Sequence, residues 1–428
     1  MNIQDIHNLF LKCSSLSIDT RKIEKDSMFF AIKGENFDAN TFAKEALDLG
    51  ALYVVIDNES YFVDDRTILV KNSLETLQEL AKFHRNYLKL PIVALTGSNG
   101  KTTTKELINV VLSKKFKTKA TIGNLNNHIG VPLTLLSFSK ETEIGIVEMG
   151  ANHKKEIEFL CEIAQPDYGY ITNFGKAHLE GFGGVQGVIE GKSEMYEYLS
   201  KNDKTVFVNL EDPIQIERSN GIKSFTFGIN KESADLNIKS IEANPFVIVQ
   251  YADFKVESHL IGLYNANNIN AAASIGKYFS VEDTLIKEAI ENYIPANNRS
   301  QLLNKGTNQI ILDAYNANPS SMAVAITNFL QLENQNKIMI LGDMFELGNE
   351  SHDEHKAVVE SLSNQDKSKC YLIGKSFYEN KISNENIQFY ETFDAFADYL
   401  KTVHFTDNTI LIKGSRGMAL ERTLDYIS

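Results

Sequence analysis

The chain is 428 residues long, 43% hydrophobic and 23% charged, with a formal net charge of −13. That length exceeds what one hydrophobic core covers, so roughly two to four domains are expected, and the acid excess argues against nonspecific nucleic-acid binding, which sums many Lys and Arg contacts to phosphates. No apolar run approaches the roughly 18 residues of a membrane span, and the opening MNIQDIHNLFLKCSSLSID lacks the basic-then-apolar order of a signal peptide, so a cytoplasmic protein without membrane contact is expected.

Residues 1–90 alternate short apolar runs with amphipathic stretches: MFFAI at 28–32, a helical pattern at 41–49 and LYVVI at 52–56, a small α/β unit. Leu74, Leu77, Leu80, Ala81 and His84 then recur at helical spacing until Pro91, which predicts a helix and a first boundary. IVALT at 92–96 has the continuous apolar character of a parallel strand buried on both faces, and a glycine loop follows it directly. IGIVEMG (144–150), YGYITNFG (168–175) and TVFVNL (205–210) repeat the theme. Residues 222–262, with FTFGI and FVIVQYADFKV between turn signals, predict an antiparallel excursion, and NANNINAAASIGKYF (265–279) reads as a helix. IPANNRS (294–300) marks a second boundary. Beyond it QIILDAY (309–315), KIMILGDM (337–344), KCYLIGK (369–375) and NTILIKGS (408–415) read as strands ending in Asp, Gly or Lys, where an open parallel sheet places its ligand crevice. The expected units are 1–90, 91–295 and 296–428.

The loop after the 92–96 strand, LTGSNGKTTTKE (95–106), is shorter than the usual G-x-x-x-x-G-K-[ST] phosphate loop. Its parts nevertheless suit a nucleotide. Gly97 and Gly100 allow close backbone approach, successive N–H groups can converge on phosphate oxygens, Lys101 can neutralise the β and γ phosphates, and the Thr102 hydroxyl suits Mg2+. A turn with an incidental lysine is the plain alternative, and the placement between a buried strand and a helix speaks against it. Glu148 closes an apolar strand, where an unpaired carboxylate is costly but a cation ligand is well placed. His178 sits in the glycine-rich NFGKAHLEGFGG. Either residue alone is equally a common strand end or loop residue.

In VQGVIEGKSEMYEYL the apolar residues Val185, Val188, Ile189, Met195, Tyr196 and Leu199 define one helical face that includes Lys192. A desolvated ammonium there loses its proton more easily and can react as a neutral amine. Spacing alone favours the other reading, a packed stem whose head reaches solvent. Asn-rich clusters at 123–132, 263–270 and 313–321 suit turns and caps, or equally a nucleobase, sugar or peptide ligand. Cys13, Cys161 and Cys370 lie far apart and suggest neither a disulfide framework nor a zinc site.

Taken together, these segments resemble the Mur ligases, the ATP-dependent amide-forming enzymes of peptidoglycan synthesis, over essentially the whole chain. TGSNGKTT matches that family's shorter loop, T-G-x-x-G-K-[ST]-[ST]. SIDTR (17–21), GNLNNHIGVPLTLL (123–136), VEMGANHKKEIEFL (147–160), NFGKAHLEGFGGVQGVIEGKSE (173–194), LDAYNANPSSM (312–322), LGDMFELGNESHDEH (341–355) and LIKGSRGMALE (411–421) carry the likeness. DAYNANPSSM, and the absence of DNPR, point to the branch that adds D-alanyl-D-alanine to UDP-N-acetylmuramoyl-tripeptide.

The resemblance implies three α/β domains: a small N-terminal UDP-substrate domain, a central P-loop-type ATPase domain with a mostly parallel sheet, and a C-terminal Rossmann-like ligase domain. It also implies that Thr96, Gly97, Ser98, Asn99, Gly100, Lys101, Thr102 and Thr103 hold ATP phosphates. Thr102, Glu148 and His178 would serve two Mg2+ ions. Lys192 would carry a carbamate, which reverses the preference drawn from spacing, and Lys101, Lys192 and His178 would be catalytic. Asn268 and Asp313 are expected at adenine and ribose, with Arg299 near the phosphates. Ser17, Thr20 and Arg21 resemble a uridine-diphosphate site, and Asn126 and Asn127 contacts to the muramoyl-peptide. Tyr315, Asn316, Asn318, Lys413 and Arg416 would close the third domain over substrate. A monomer is expected. Two departures stand out: Phe37-Asp38-Ala39-Asn40 replaces the usual Asp-Gly-His, and Tyr264 replaces the histidine of Gly-x-His-Asn. A folylpolyglutamate-type ligase and a regulatory ATPase are the competing readings.

Overall fold

The protein, described here by a computed structural model, is defined over residues 1–296, 298–334, 336–366 and 368–427. Asn297 of the second expected boundary segment lies outside the described residues.

Three sheets follow one another along the chain. The first has four parallel strands in the order β1 (Leu16–Ser17), β2 (Met28–Phe30), β3 (Tyr53–Ile56) and β4 (Thr67–Leu69). The central sheet has nine strands in the order β13-β12-β11-β10-β9-β8-β5-β7-β6. Its parallel part comprises β5 (Ile92–Thr96), β6 (Thr118–Ala120), β7 (Ile144–Glu148), β8 (Tyr168–Ile171), β9 (Thr205–Asn209) and β10 (Ser224–Ile229). Of the expected antiparallel excursion, β10 and β11 (Leu236–Ala243) are instead parallel neighbours. Only β11, β12 (Phe246–Tyr251) and β13 (Lys255–Ile261) pair antiparallel, and they extend the same sheet.

The third sheet runs β14 (Gln301–Lys305), β15 (Asn308–Asp313), β19 (Thr409–Lys413), β16 (Lys337–Gly342), β17 (Ser368–Ile373), β18 (Ile387–Tyr390), with β14 alone antiparallel. β5, β7 and β16 are buried at every residue, as expected of strands whose centres are continuously apolar.

The helix Ser73–Leu88 is a shared girder. Asn72 caps its N-terminus, and left-handed Lys89 ends it two residues before Pro91. Leu77, Leu80 and Ala81 join a core that runs from Ile6 and Phe10 through Val131 and Leu135 to Met322 and Phe329. Arg85 on this helix donates to the Ala164 and Gln165 carbonyls and to Asp167 at 2.8 Å, fastening the first unit to the central one.

The departure at 38–40 has a structural account. Asn40 is fully buried; its amide donates to Asp38 at 2.7 Å and Asp57 at 2.8 Å, while its carbonyl accepts from the Asp57 N–H. Asp57 in turn accepts from the N–H of Ser73. Asn40 thus satisfies the polar groups where β3 ends and the girder helix begins.

Candidate active site

The carboxyl ends of β5 and β7 face those of β15 and β19 across a cleft of about 740 Å³. Gly97, at φ 138°, sits where a Cβ would lie 2.0 Å from the Thr172 hydroxyl, so only glycine fits. Gly100, at φ 77°, packs on Asn268 in the same way and begins the helix Lys101–Leu112. The N–H groups of Ser98 and Asn99 are spent on the backbone and side chain of Asn173. Those of Lys101 to Thr103, in the first turn of the helix, have no intrahelical acceptor, the arrangement that makes a helix N-terminus able to take an anion. Thr96 and Gly97 support the loop from below and do not line the cleft.

Lys101 curls over the loop, donating to the Gly97 carbonyl at 2.8 Å. Burial holds its ammonium below the usual lysine range; Glu148 opposes the shift and Arg299 adds to it. Glu148 is 1% exposed, and its Oε1 accepts from the Thr102 hydroxyl at 3.2 Å and from Asn126 at 2.9 Å. Its Oε2 has no hydrogen-bond partner and faces the Lys105 ammonium at 3.7 Å. Lys105 escaped the sequence reading, although it lies one helical turn beyond Lys101 and so shares its face. Asn126, expected as a substrate contact, also donates to Glu148; Asn127, expected with it, accepts from the Ile129 and Gly130 N–H groups in the turn that leads into the helix Gly130–Leu136.

A buried orphan oxygen beside a threonine hydroxyl at a phosphate loop is an oxygen donor set that fits Mg2+, which takes one or two protein oxygens and completes its shell with phosphate and water. Among the described residues no three His, Cys, Asp or Glu side chains form a preassembled metal cage. His178 turns its Nδ1 to Glu346 of the C-terminal unit and holds that carboxyl below the ordinary Glu range.

Lys192 is 1% exposed, so the snorkelling alternative does not apply. Its Nζ donates to the Ala151 carbonyl at 3.1 Å and lies 4.9 Å from the centre of the Phe182 ring. Desolvation, then repulsion from Lys101, depress its pKa well below the ordinary lysine value, against the pull of Glu156 and Glu194. Val185, assigned to the same apolar face, is 40% exposed and stands outside it.

Asn268 is buried. Its carbonyl accepts from the Thr104 hydroxyl and its amide donates to Asn265. Asp313 accepts from Lys413 at 2.6 Å and from the Ser300 N–H at 3.2 Å. Asn316 accepts from the Ala317 N–H and offers its own carbonyl to Lys413. Asn318 caps the helix Pro319–Gln331 and donates to Asn99 at 2.7 Å. Arg299 stacks over Tyr315, to whose hydroxyl Arg416 donates at 3.1 Å. Tyr264 lines the cleft, and its hydroxyl meets Ser300 at 2.7 Å, a contact with no signal in the sequence. Ser17, Thr20 and Arg21 stand apart from this cleft. Ser17 exchanges hydrogen bonds with the Asp19 backbone, and exposed Arg21 forks onto the Asp19 carboxylate. Among the described residues no helix is long and apolar enough to cross a membrane.

Family models match in chain order: Mur ligase family, catalytic domain, over residues 12–85; Mur ligase middle domain over 95–276; and Mur ligase, glutamate ligase domain, over 298–416. The chain belongs to the Mur ligase family. This Mur ligase is 31% identical to the UDP-N-acetylmuramoyl-tripeptide–D-alanyl-D-alanine ligase of Bacillus subtilis, over 95% of the chain and 91% of the relative. Its Escherichia coli counterpart is 31% identical over 96% of the chain and 92% of that protein. The structure superposes on MurF from Acinetobacter baumannii with a TM-score of 0.86 at 28% identity, covering 99% and 97% of the two chains. With MurF from Thermotoga maritima in complex with ADP the TM-score is 0.84, at 28% identity and 97% coverage of each chain. The three α/β units with mostly parallel sheets are those of the family.

Proposed function

We propose that this Mur ligase uses ATP to join D-alanyl-D-alanine to UDP-N-acetylmuramoyl-tripeptide in peptidoglycan precursor synthesis, acting as a cytoplasmic monomer. One observation carries the reading: the phosphate loop, Glu148 and the C-terminal residues Asp313, Tyr315, Asn318 and Lys413 line a single cleft. Nucleotide and acceptor can therefore meet there.

The tripeptide carboxylate attacks the γ-phosphorus of ATP, the bond to the β-γ bridging oxygen breaks, and ADP leaves an acyl phosphate. The dipeptide amine then attacks the acyl carbon; the C–N bond forms, the C–O bond to phosphate breaks, and the amine gives up a proton. Lys101 and the amides of the first helical turn offset charge on the transferring group and fix its direction. Thr102, Glu148 and His178 would hold two Mg2+ ions, whose chemistry when bound is to neutralise phosphate charge. Lys192, desolvated and able to shed its proton, would add CO2 to give a carbamate and a proton, supplying a carboxylate for the second ion. Asn268 and Asp313 mark the nucleoside end, Arg299 the phosphates, and Ser17, Thr20 and Arg21 the uridine diphosphate. The expected units 1–90, 91–295 and 296–428 would then divide the donor, nucleotide and acceptor among themselves.

The test is ADP release with UDP-linked tripeptide, D-alanyl-D-alanine, ATP and Mg2+, leaving out each in turn. Release that needs all four supports the reading; phosphate release indifferent to any amine acceptor would mean an ATPase instead.

A further inference from the structure

His178 and Glu346 meet from two domains, and the backbone of each is bent where they meet. His178 follows β8 of the central sheet in the left-handed region at φ 53°, and Glu346 follows β16 of the third sheet at φ 63°. Residues with a Cβ occupy that region at a cost, and they gather at ligand clamps and switches. The Nδ1 atom of His178 is buried, and among the described residues only the Glu346 carboxylate meets it.

The turn that carries Glu346 is itself pinned. The Met344 N–H donates to His355 Nε2 at 3.0 Å, and the Phe345 N–H donates to the Ser415 hydroxyl at 2.9 Å. Beyond the turn Gly348, at φ 54°, packs so closely that a Cβ there would lie 3.0 Å from that of Glu180. Lys176 pairs with Glu354 at 2.5 Å on the same face. Glu346 is thus held against His178 by a built docking surface between the central and C-terminal units.

The two side chains stand differently towards the cleft. His178 lines it together with Thr102 and Glu148, whereas Glu346 does not and meets the ring on its buried side. An imidazole that gives its one proton to a carboxylate through Nδ1 presents a lone pair at Nε2. A carboxylate so placed fixes the tautomer and orientation of a metal-ligating histidine and strengthens it as a ligand. No hydrogen bond among the described residues uses His178 Nε2. We infer that Glu346 is a positioning residue: from the C-terminal domain it sets the His178 ring so that Nε2 takes a divalent cation at the nucleotide, which couples cation binding to docking of that domain. This rests on the reading of His178 as a cation ligand. Reciprocity then requires the cation to favour docking as strongly as docking favours the cation.

The experiment reads binding rather than turnover. Mn2+, a paramagnetic substitute for Mg2+, is titrated into the full-length enzyme with a non-hydrolysable ATP analogue, and electron spin echo spectra report whether a nitrogen ligates it. The wild type should show nitrogen coupling that His178→Ala abolishes. Glu346→Ala should weaken Mn2+ binding by about 10- to 100-fold, the range for losing such a partner, and should lose most of the coupling. Glu346→Gln, whose amide oxygen can still accept from Nδ1, should recover part of both. Glu354→Ala removes the neighbouring contact to Lys176 without touching His178, and should change Mn2+ affinity by less than about threefold. Glu346 is exposed, so the melting temperature of its variants should move by no more than about 2 °C, which shows that they fold. Coupling and affinity that survive Glu346→Ala, an affinity that rises, or an equal loss in Glu354→Ala overturns the role of Glu346 alone. A wild type that binds Mn2+ without nitrogen coupling removes His178 from the cation and overturns this inference with it.

Discussion

The side-chain amide of Asn318 donates to the side-chain carbonyl of Asn99 at 2.7 Å, joining the C-terminal domain directly to the phosphate loop. Beside it the Lys176 N–H donates to the Ser320 hydroxyl at 2.7 Å. The loop proposed to hold the nucleotide is therefore also a docking point for the C-terminal domain, so on the proposed reading docking and phosphate binding would share the same few atoms.

Asn318→Asp separates the two jobs of this residue. The carboxylate still accepts from the Ser321 N–H and caps its helix, but it can no longer donate to Asn99 and sets oxygen against oxygen. kcat is expected to fall about 10-fold, with ATP affinity changed by less than about threefold and the melting temperature nearly constant. Unchanged turnover would mean that the contact has no part in closure.

Lys101→Ala should remove ligation while sparing the fold. The ammonium is desolvated in the folded chain, so stability should change by no more than about 1 kcal/mol. kcat/KM should fall by about 10³-fold if the group offsets transition-state charge. Thermal melting run beside the ADP-release assay reads both, and a variant that retains ligation would remove Lys101 from the site.

A buried histidine relay predicts acid sensitivity at the junction of the first and central units. His84 Nε2 donates to the Phe138 carbonyl, leaving Nδ1 to accept from His7 Nε2 at 3.0 Å. Burial, then repulsion from His84, lowers the His7 pKa to about 4, and burial also lowers that of His84. Phe10, Phe83 and Tyr87 are the rings around His7, and no carboxylate offsets a charge there. The sign follows from linkage: below about pH 6.5 the unfolded imidazole takes a proton that the folded one refuses until about pH 4. Stability is thus full above pH 6.5 and declines as pH falls across that window. Melting curves between pH 7 and 4.5 should drop by about 5 °C, and His7→Gln, which keeps a donor but does not titrate, should flatten the trend.

The glycine loop at 97–102 was legible in the sequence because it is local, glycine, lysine and threonine at fixed offsets. The burial of Lys192 was not, because a 3.6-residue period puts its stem on the apolar face yet favours a head that reaches solvent, where the structure leaves it 1% exposed. β10 was not, since an alternating strand looks the same whether its neighbour arrives by hairpin or by crossover. Asn126 and Asn268 were expected at ligands from the family resemblance alone. The structure adds contacts that the sequence did not signal, to Glu148 and to Gly100, because these partners lie distant in sequence. The Asn99–Asn318 contact spans 219 residues and follows only from how two domains dock.

Lys192→Ala should reduce ligation by about 10²-fold or more, and short carboxylic acids should restore part of it by supplying the missing carboxylate. The wild type should in turn respond to bicarbonate. Absence of rescue, together with a wild type indifferent to bicarbonate, would leave Lys192 as a packing residue against Phe182.

Tyr264 stands where the family pattern has histidine, and its hydroxyl supplies a contact between the central and C-terminal units. Ser300 adopts φ 47° and gives its N–H to Asp313, which ties it to the C-terminal strands, whereas Tyr264 precedes the central helix Asn265–Tyr278. Tyr293, at the start of the connecting segment, is tied to Glu106 behind the phosphate loop at 2.5 Å. A tyrosine hydroxyl is thus tied down on each side of the link between the central and C-terminal units. Tyr264→Phe deletes the 2.7 Å contact to Ser300 with little change of volume, and Ser300→Ala deletes the same contact from the other side. Each should lower kcat by about 3- to 10-fold, the range for one hydrogen bond. The double variant should be no worse than either single, because both act through one interaction. Scattering profiles with and without nucleotide should show a smaller fraction of closed molecules in all three. Independent, multiplying losses would show that the two hydroxyls serve different purposes, and a shared role for this contact in domain closure would have to be abandoned.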